Sequence, residues 1–222
     1  MIGLRTNLNE RKRMTPREMS ALVSVIVAII GTVWYVQLAL RGIKVRPILA
    51  SWIVISGTMT LSFATYWTTP GHSLVSNACN AVSVLTTGSI LIAALYLHIR
   101  QRSGFNLSRF QKACLVASAI IAIFWVVLVW GFKGTGMIPN ILTQVLMLIG
   151  YAVTAEKLWY AEKNSESLFT WWCILLAGAI ALYTGIKSRD KLAILYAVRT
   201  LLSTIVLLWL MYRAEHKARL AK

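Results

Sequence analysis

The chain has 222 residues, 58% of them hydrophobic, with a mean hydropathy of +0.67, which is too apolar for a soluble fold. Its formal charge of +16 would point to nucleic acid in a soluble domain. Here nearly all Lys and Arg lie in loops and tails between apolar segments, where they hold helix ends at anionic lipid headgroups, so nucleic-acid binding is excluded as the explanation.

Residues 1–19 form a basic tail with Arg5, Arg11, Lys12, Arg13 and Arg17. The apolar run behind it has full spanning length, longer than the core of a cleaved signal peptide, so a retained first helix is expected. Crossing a bilayer takes about 20 mostly apolar residues in a helix, because lipid offers the backbone no hydrogen-bond partners. Seven such helices are predicted, at roughly 20–40, 47–67, 74–98, 113–132, 137–159, 168–186 and 191–212. The charges between Arg41 and Pro47 end the first, and that proline suits the opening of the second. A turn cluster from Thr68 to His72, a basic stretch from Arg100 to Lys112, and short loops at Lys133–Gly136, Ala161–Ser167 and Lys187–Asp190 separate the others. Residues 213–222 read as a basic tail. Cys79, Cys114 and Cys173 fall inside apolar runs and His72, His98 and His216 are scattered, so neither a disulfide framework nor a zinc site is implied.

The segment from Ile30 to Ile55 returns, without a gap, from Ile149 to Ile174. The overlay pairs Gly31 with Gly150, Lys44 with Lys163, Ser51 with Thr170, Trp52 with Trp171 and Ile55 with Ile174. Short links make successive helices antiparallel neighbours, so copies that start at helices 1 and 5 give an all-α integral membrane fold in a 3+1+3 arrangement. Residues 20–98 form one three-helix bundle, 99–136 a basic loop and linker helix, and 137–212 a second bundle of the same orientation, as in parallel-repeat carriers. Basic residues concentrate in the loops after helices 1, 3 and 5 and at the C-terminus. This favours a cytoplasmic C-terminus and, as home, the plasma (inner) membrane.

Two slots near the ends of the first and fifth helices hold Val36-Gln37 and Ala155-Glu156. Glu156 opens a polar run that ends in Ser167 and Leu168 before the next helix. With the 3+1+3 layout, this resembles the PQ-loop superfamily, which includes the SWEET sugar transporters and the KDEL receptors. Both prolines of the name-giving pair are replaced, which removes a proline hinge at those points. The resemblance implies a pocket from an aromatic late in each bundle's second helix and an asparagine on its third. The similar positions are Trp67 with Asn77 or Asn80, and Tyr183, with Arg199 standing where a second asparagine is implied.

Arg199 lies well inside the apolar run Leu192–Leu210. Its guanidinium costs at least about 2.5 kcal/mol there, so it should face a protein interior or a wet cavity. It would either dock a carboxylate or phosphate with its planar fork or be structural, paired with Glu156, bonded to carbonyls, or at the end of a helix that begins later. Asn77 and Asn80 share a helix face, as do Asn140 and Gln144. Each could line a path or simply bond across packed helices. Trp52 and Trp171, matched by the repeat, either plug equivalent positions between the bundles or anchor their helices at the interface. No nucleophile with an adjacent base, no metal motif and no phosphate-binding glycine loop appears, so neither an enzyme nor a cofactor is expected. The reading is a carrier of a small polar or anionic solute by alternating access, as a monomer or a homo-oligomer. A non-transporting receptor, scaffold or assembly factor on the same fold is the alternative.

Overall fold

The computed structural model describes residues 14–43, 45–69, 73–101, 107–131 and 137–221. The tail residues Arg5, Arg11, Lys12 and Arg13, together with Lys44, His72, Arg102, Lys133 and Lys222, lie outside them. The described residues hold seven helices and no strand: α1 (Pro16–Leu40), α2 (Leu49–Thr68), α3 (Ala78–Arg100), α4 (Arg109–Val126, continued by a π-helical turn Val127–Gly131), α5 (Met137–Tyr160), α6 (Leu168–Ser188) and α7 (Lys191–Leu220). All seven are long and apolar enough to cross a bilayer, and the chain is an integral membrane protein on that ground.

Local chemistry sets several ends. Thr15 and Glu18 form a reciprocal capping box ahead of Pro16, so α1 opens four residues before the apolar run does. Ser108 caps α4 by accepting from the Gln111 N–H, Ser167 caps α6 through Thr170, and Asp190 caps α7 through the N–H groups of Leu192 and Ala193. Arg189 takes the left-handed conformation (φ 53°) that turns α6 into α7. The tail expected after residue 212 is corrected: α7 continues to Leu220, carrying Arg213, Lys217 and Arg219 as helical residues beyond the apolar stretch.

Neighbours follow a regular pattern. α3 packs against both α1 and α2, and α7 against both α5 and α6; α1 also packs on α6, and α2 on α5. Directions follow from paired contacts. Ser20 meets Thr184 and Ser24 meets the Ala177 carbonyl, so α1 and α6 run antiparallel. Ser62 meets Asn80 and Tyr66 meets Ser76, so α2 and α3 do too. Gln144 meets Arg199 and Trp159 meets Trp209, so α5 and α7 are parallel. α4 rests on α5, touches α2 lightly, and sends Trp125 Nε1 to Thr65 Oγ1 at 2.9 Å. The innermost side chains are Trp171, Tyr35, Tyr66, Ile55, Leu146, Met147, Leu207 and Met211. Leu85, Ile92, Ile120, Ile123 and Trp130 face outward, as lipid-facing residues should.

Candidate functional site

Two glycines set the closest approaches of α1 to α6 and of α5 to α2. Gly31 and Gly150 stand so close to the facing helix that a Cβ would come within 2.7 Å of Cys173 Cβ and 2.8 Å of Ile55 Cγ1, respectively. Close approach of this kind is the use of small residues in lipid. It lets hydroxyls reach backbone: Thr170 Oγ1 donates to the Gly31 carbonyl at 3.0 Å and Ser51 Oγ to the Gly150 carbonyl at 2.8 Å. Both the glycines and their hydroxyl partners are pairs that the sequence overlay matched, so each bond turns into the other when the two copies are exchanged.

Six helices, all but α4, enclose a central cavity of about 50 Å³. Its wall includes Thr32 on α1, Trp52 on α2, Cys79 and Thr87 on α3, Tyr151 on α5, Trp171 on α6, and Tyr196 and Thr200 on α7. Trp52 meets Tyr35 edge-on with centroids 5.5 Å apart, and Trp171 meets Tyr151 in the same way at 5.9 Å. The Tyr196 hydroxyl bridges to Ser83 Oγ at 2.8 Å, tying α7 to α3.

Two clusters, each of a tyrosine and a carboxylate, lie toward opposite ends of α1. Where α1 finishes, the Tyr35 hydroxyl donates to Glu166 Oε2 at 2.9 Å, and Lys157 Nζ donates to Glu166 Oε1 at 3.0 Å and to the Arg46 carbonyl. Glu166 is 2% exposed, and the Asn164 side chain holds its N–H at 2.9 Å. Where α1 begins, the Tyr66 hydroxyl and Ser76 Oγ both donate to Asp190 Oδ2, the latter at 2.6 Å. In both clusters the tyrosine comes from α1–α3 and the acid from the segments around α6 and α7. These bonds to ionised acceptors are the stronger kind.

Arg199 is buried beside this cavity, with its guanidinium carbon 4.9 Å from the Tyr196 ring centre and 5.9 Å from that of Tyr151. Nε donates to Gln144 Oε1 at 2.9 Å, and Gln144 Nε2 donates in turn to Asn140 Oδ1 at 3.2 Å and Thr143 Oγ1 at 3.3 Å. Nη1 is buried and makes no hydrogen bond to any described residue.

The structure thus joins Arg199 with Gln144 and brings Trp52 and Trp171, each in the first turn of its helix, to the cavity wall. Other expectations are corrected. Glu156 is not the partner of Arg199; it accepts from Ser108 Oγ at 3.1 Å. Asn80 is 1% exposed but lies outside the cavity wall, donating to Ser62 Oγ at 3.2 Å. Asn77 is buried at the start of α3, also off the wall. Trp67 and Tyr183 are about half exposed and stand apart from the cavity, Trp67 against Phe63 and Tyr183 under Lys187. One residue along a helix turns about 100°, and it is Tyr66, not Trp67, that faces inward. Sequence reasoning missed Tyr35, Tyr66, Tyr151, Tyr196, Glu166 and Asp190. The two acids sit in loops and look solvated, and only Asp190, one residue ahead of an apolar helix, carries a capping signal. No protein-family model, curated protein or solved structure matches this chain.

Proposed function

We propose that the chain is a membrane carrier of a small polar or anionic solute, working by alternating access between two parallel three-helix bundles, α1–α3 and α5–α7, linked by α4. Exchanging α1 for α5, α2 for α6 and α3 for α7 preserves the main neighbour pairs of these six helices, though not the lighter α3–α6 contact, and it interconverts the Gly31–Thr170 and Gly150–Ser51 bonds. Midplane sites between repeats that rock against each other are the general plan of such carriers.

The observation that carries this reading is the central cavity, flanked at either end by hydrogen bonds crossing from one bundle to the other. Breaking the Tyr35–Glu166 cluster while the Tyr66–Asp190 cluster holds would open the site to one side; the reverse would open it to the other. The basic loops and C-terminal helix end favour a cytoplasmic C-terminus in a plasma (inner) membrane. With that orientation the Tyr35–Glu166 cluster lies on the cytoplasmic side.

The test begins with a thermal-shift screen of purified protein against sugars, amino acids, nucleosides and organic anions, since a ligand that binds only the folded state stabilises it. Uptake of the best solute is then measured in vesicles. The Tyr35–Glu166 and Tyr66–Asp190 pairs meet only at the tips of long side chains, too far apart at Cβ for a direct disulfide. The double variants Tyr35→Cys/Glu166→Cys and Tyr66→Cys/Asp190→Cys, in a background without the native cysteines, are therefore joined by a reducible bifunctional thiol reagent that spans the replaced side chains. Each cross-link should stop uptake, and reduction should restore it. Uptake that continues with either end locked would refute alternating access. Binding without any uptake would leave a receptor.

A further inference from the structure

Arg199 sets a cation among apolar helices, and the described residues give it no counter-charge. Every described carboxylate is engaged or placed elsewhere. Glu18 caps α1, Glu156 accepts from Ser108, and Glu166 faces Lys157 and Tyr35. Asp190 caps α7 and takes Tyr66, Glu215 accepts from Asn164, and Glu162 is exposed. What surrounds the guanidinium is neutral: the Gln144 amide and the faces of Tyr151 and Tyr196. A charge without a partner in a low-dielectric interior is costly, and an anion removes the cost.

A second donor nearby is also unanswered. Trp171 Nε1 is buried without a hydrogen bond, and its ring belongs to the cavity wall. Tyr151 links the two, its ring centre 5.9 Å from that of Trp171 and 5.9 Å from the guanidinium carbon. A surplus of N–H donors, one of them charged, calls for a ligand that only accepts. Arg presents its donors in a planar fork suited to two oxygens on one atom, which a carboxylate supplies.

Resting on the carrier reading above, the geometry points to a small monocarboxylate as the solute, its carboxylate held by Arg199 Nη1. The charge is single because Arg199 is the only cation beside the cavity among the described residues; no Lys or Arg belongs to its wall. The size follows from the cavity of about 50 Å³, which holds about three to five water-sized atoms. Tyr151 and Tyr196 belong to the cavity wall and contact the guanidinium, whereas Arg199 does not itself line the cavity, so a carboxylate entering from the cavity reaches Nη1 when one of those rings swings aside. The hydroxyls of Thr32, Thr87 and Thr200 already donate to carbonyls of their own helices, so the rest of the molecule meets their methyls and the apolar wall around them.

The test uses the full chain, purified in detergent, with sodium formate, acetate and propionate as probes. Formamide, acetamide and propionamide are the uncharged isosteres, and chloride and nitrate the inorganic monoanions. Thermal stability should rise with the carboxylates and not with the amides. In Arg199→Gln the half-maximal carboxylate concentration should rise about tenfold or more. Arg199→Gln should be no less stable than the parent without ligand, since it removes a buried charge. Should it fail to fold, the contrast between carboxylates and amides in the parent protein decides. Amides acting as well as carboxylates, or chloride and nitrate acting where carboxylates do not, would overturn the inference. So would an undiminished carboxylate response in Arg199→Gln. Exchange of labelled acetate in vesicles separates the two readings. Binding without exchange sinks the carrier and leaves the site, whereas uptake of a neutral solute with which carboxylates do not compete sinks the site and leaves the carrier.

Discussion

Gly31→Ala is the sharpest test of how the two halves meet. The added methyl would stand 2.7 Å from Cys173 Cβ and 3.4 Å from the Thr170 carbonyl oxygen. Both atoms are fixed to the α6 backbone, so no rotamer change relieves the clash and the helices must part by about 1 Å to restore an ordinary contact of ~3.5–4 Å. Overpacking costs about 1–3 kcal/mol, and the stretched Thr170 hydroxyl bond adds about 0.6 kcal/mol. The better helix propensity of alanine returns up to about 1 kcal/mol. The net loss is about 0.6–3.6 kcal/mol, which lowers the apparent Tm by roughly 1–14 °C on the scaling of domains of this size. Gly150→Ala should cost a similar amount, because its nearest neighbour, Ile55 Cγ1 at 2.8 Å, belongs to a buried, β-branched side chain that is stiff at χ1. Intrinsic tryptophan fluorescence during heating in detergent reads both. Cys173→Gly removes the offending Cβ, so in the Gly31→Ala background it should recover stability that the two single losses do not predict, a coupling of at least about 0.5 kcal/mol. A Gly31→Ala protein as stable as its parent, or one that Cys173→Gly weakens additively, would refute the close packing.

Further expectations concern the ends and the wall. In a Cys114→Ser/Cys173→Ser background, Cys79 reports on the cavity it lines: Tyr35→Phe should speed its labelling by a thiol reagent from one side of the membrane and Tyr66→Phe from the other, and equal effects from both sides would count against two separate closures. Asp190→Ala should lose a helix cap worth about 1 kcal/mol as well as the Tyr66 bond, whereas Asp190→Asn keeps the cap; unfolding midpoints of the two variants check the order. Ser51→Ala and Thr170→Val should each destabilise by about 0.6–1.7 kcal/mol, and a large inequality between them would break the equivalence of the two bonds. Trp52→Ala and Trp171→Ala should abolish solute-induced stabilisation, while Trp67→Ala and Tyr183→Ala should leave it intact.

How far the sequence can be read depends on which forces write themselves into it. Hydrophobic length does, so all seven spans are visible; their ends differ where a cap such as Ser108 or the polar turns of α7 carry a helix past its apolar part, and where α2 and α3 start later than the sequence suggests, at Leu49 rather than Pro47 and at Ala78 rather than Leu74. The overlay of Gly31 on Gly150 and Ser51 on Thr170 is visible as register, but only the structure adds that each glycine is answered by the other copy's hydroxyl. Arg199 stands out because an ion in an oily run has few uses. Its partner is misjudged when Glu156 is weighed by charge, because the nearest acceptor is the uncharged Gln144. Glu166 and Asp190 leave no trace of their role, since an acid in a basic loop reads as solvated until a tyrosine distant in sequence is folded onto it. Trp67 and Tyr183 show the opposite limit: a resemblance puts an aromatic near a position, and a turn of one residue sends it to the lipid.

The crossed glycine contacts also bear on how the protein is made. Gly31 and its partner Thr170 are separated by 139 residues, and Ser51 and Gly150 by 99. At about 5–20 residues per second of synthesis, the first half waits roughly 5–28 s in the bilayer with its contact face uncovered. In that interval the face that fits α5 and α6 is open to the same helices of another nascent copy, and ribosomes crowded on one message would set newborn chains on course to trade halves.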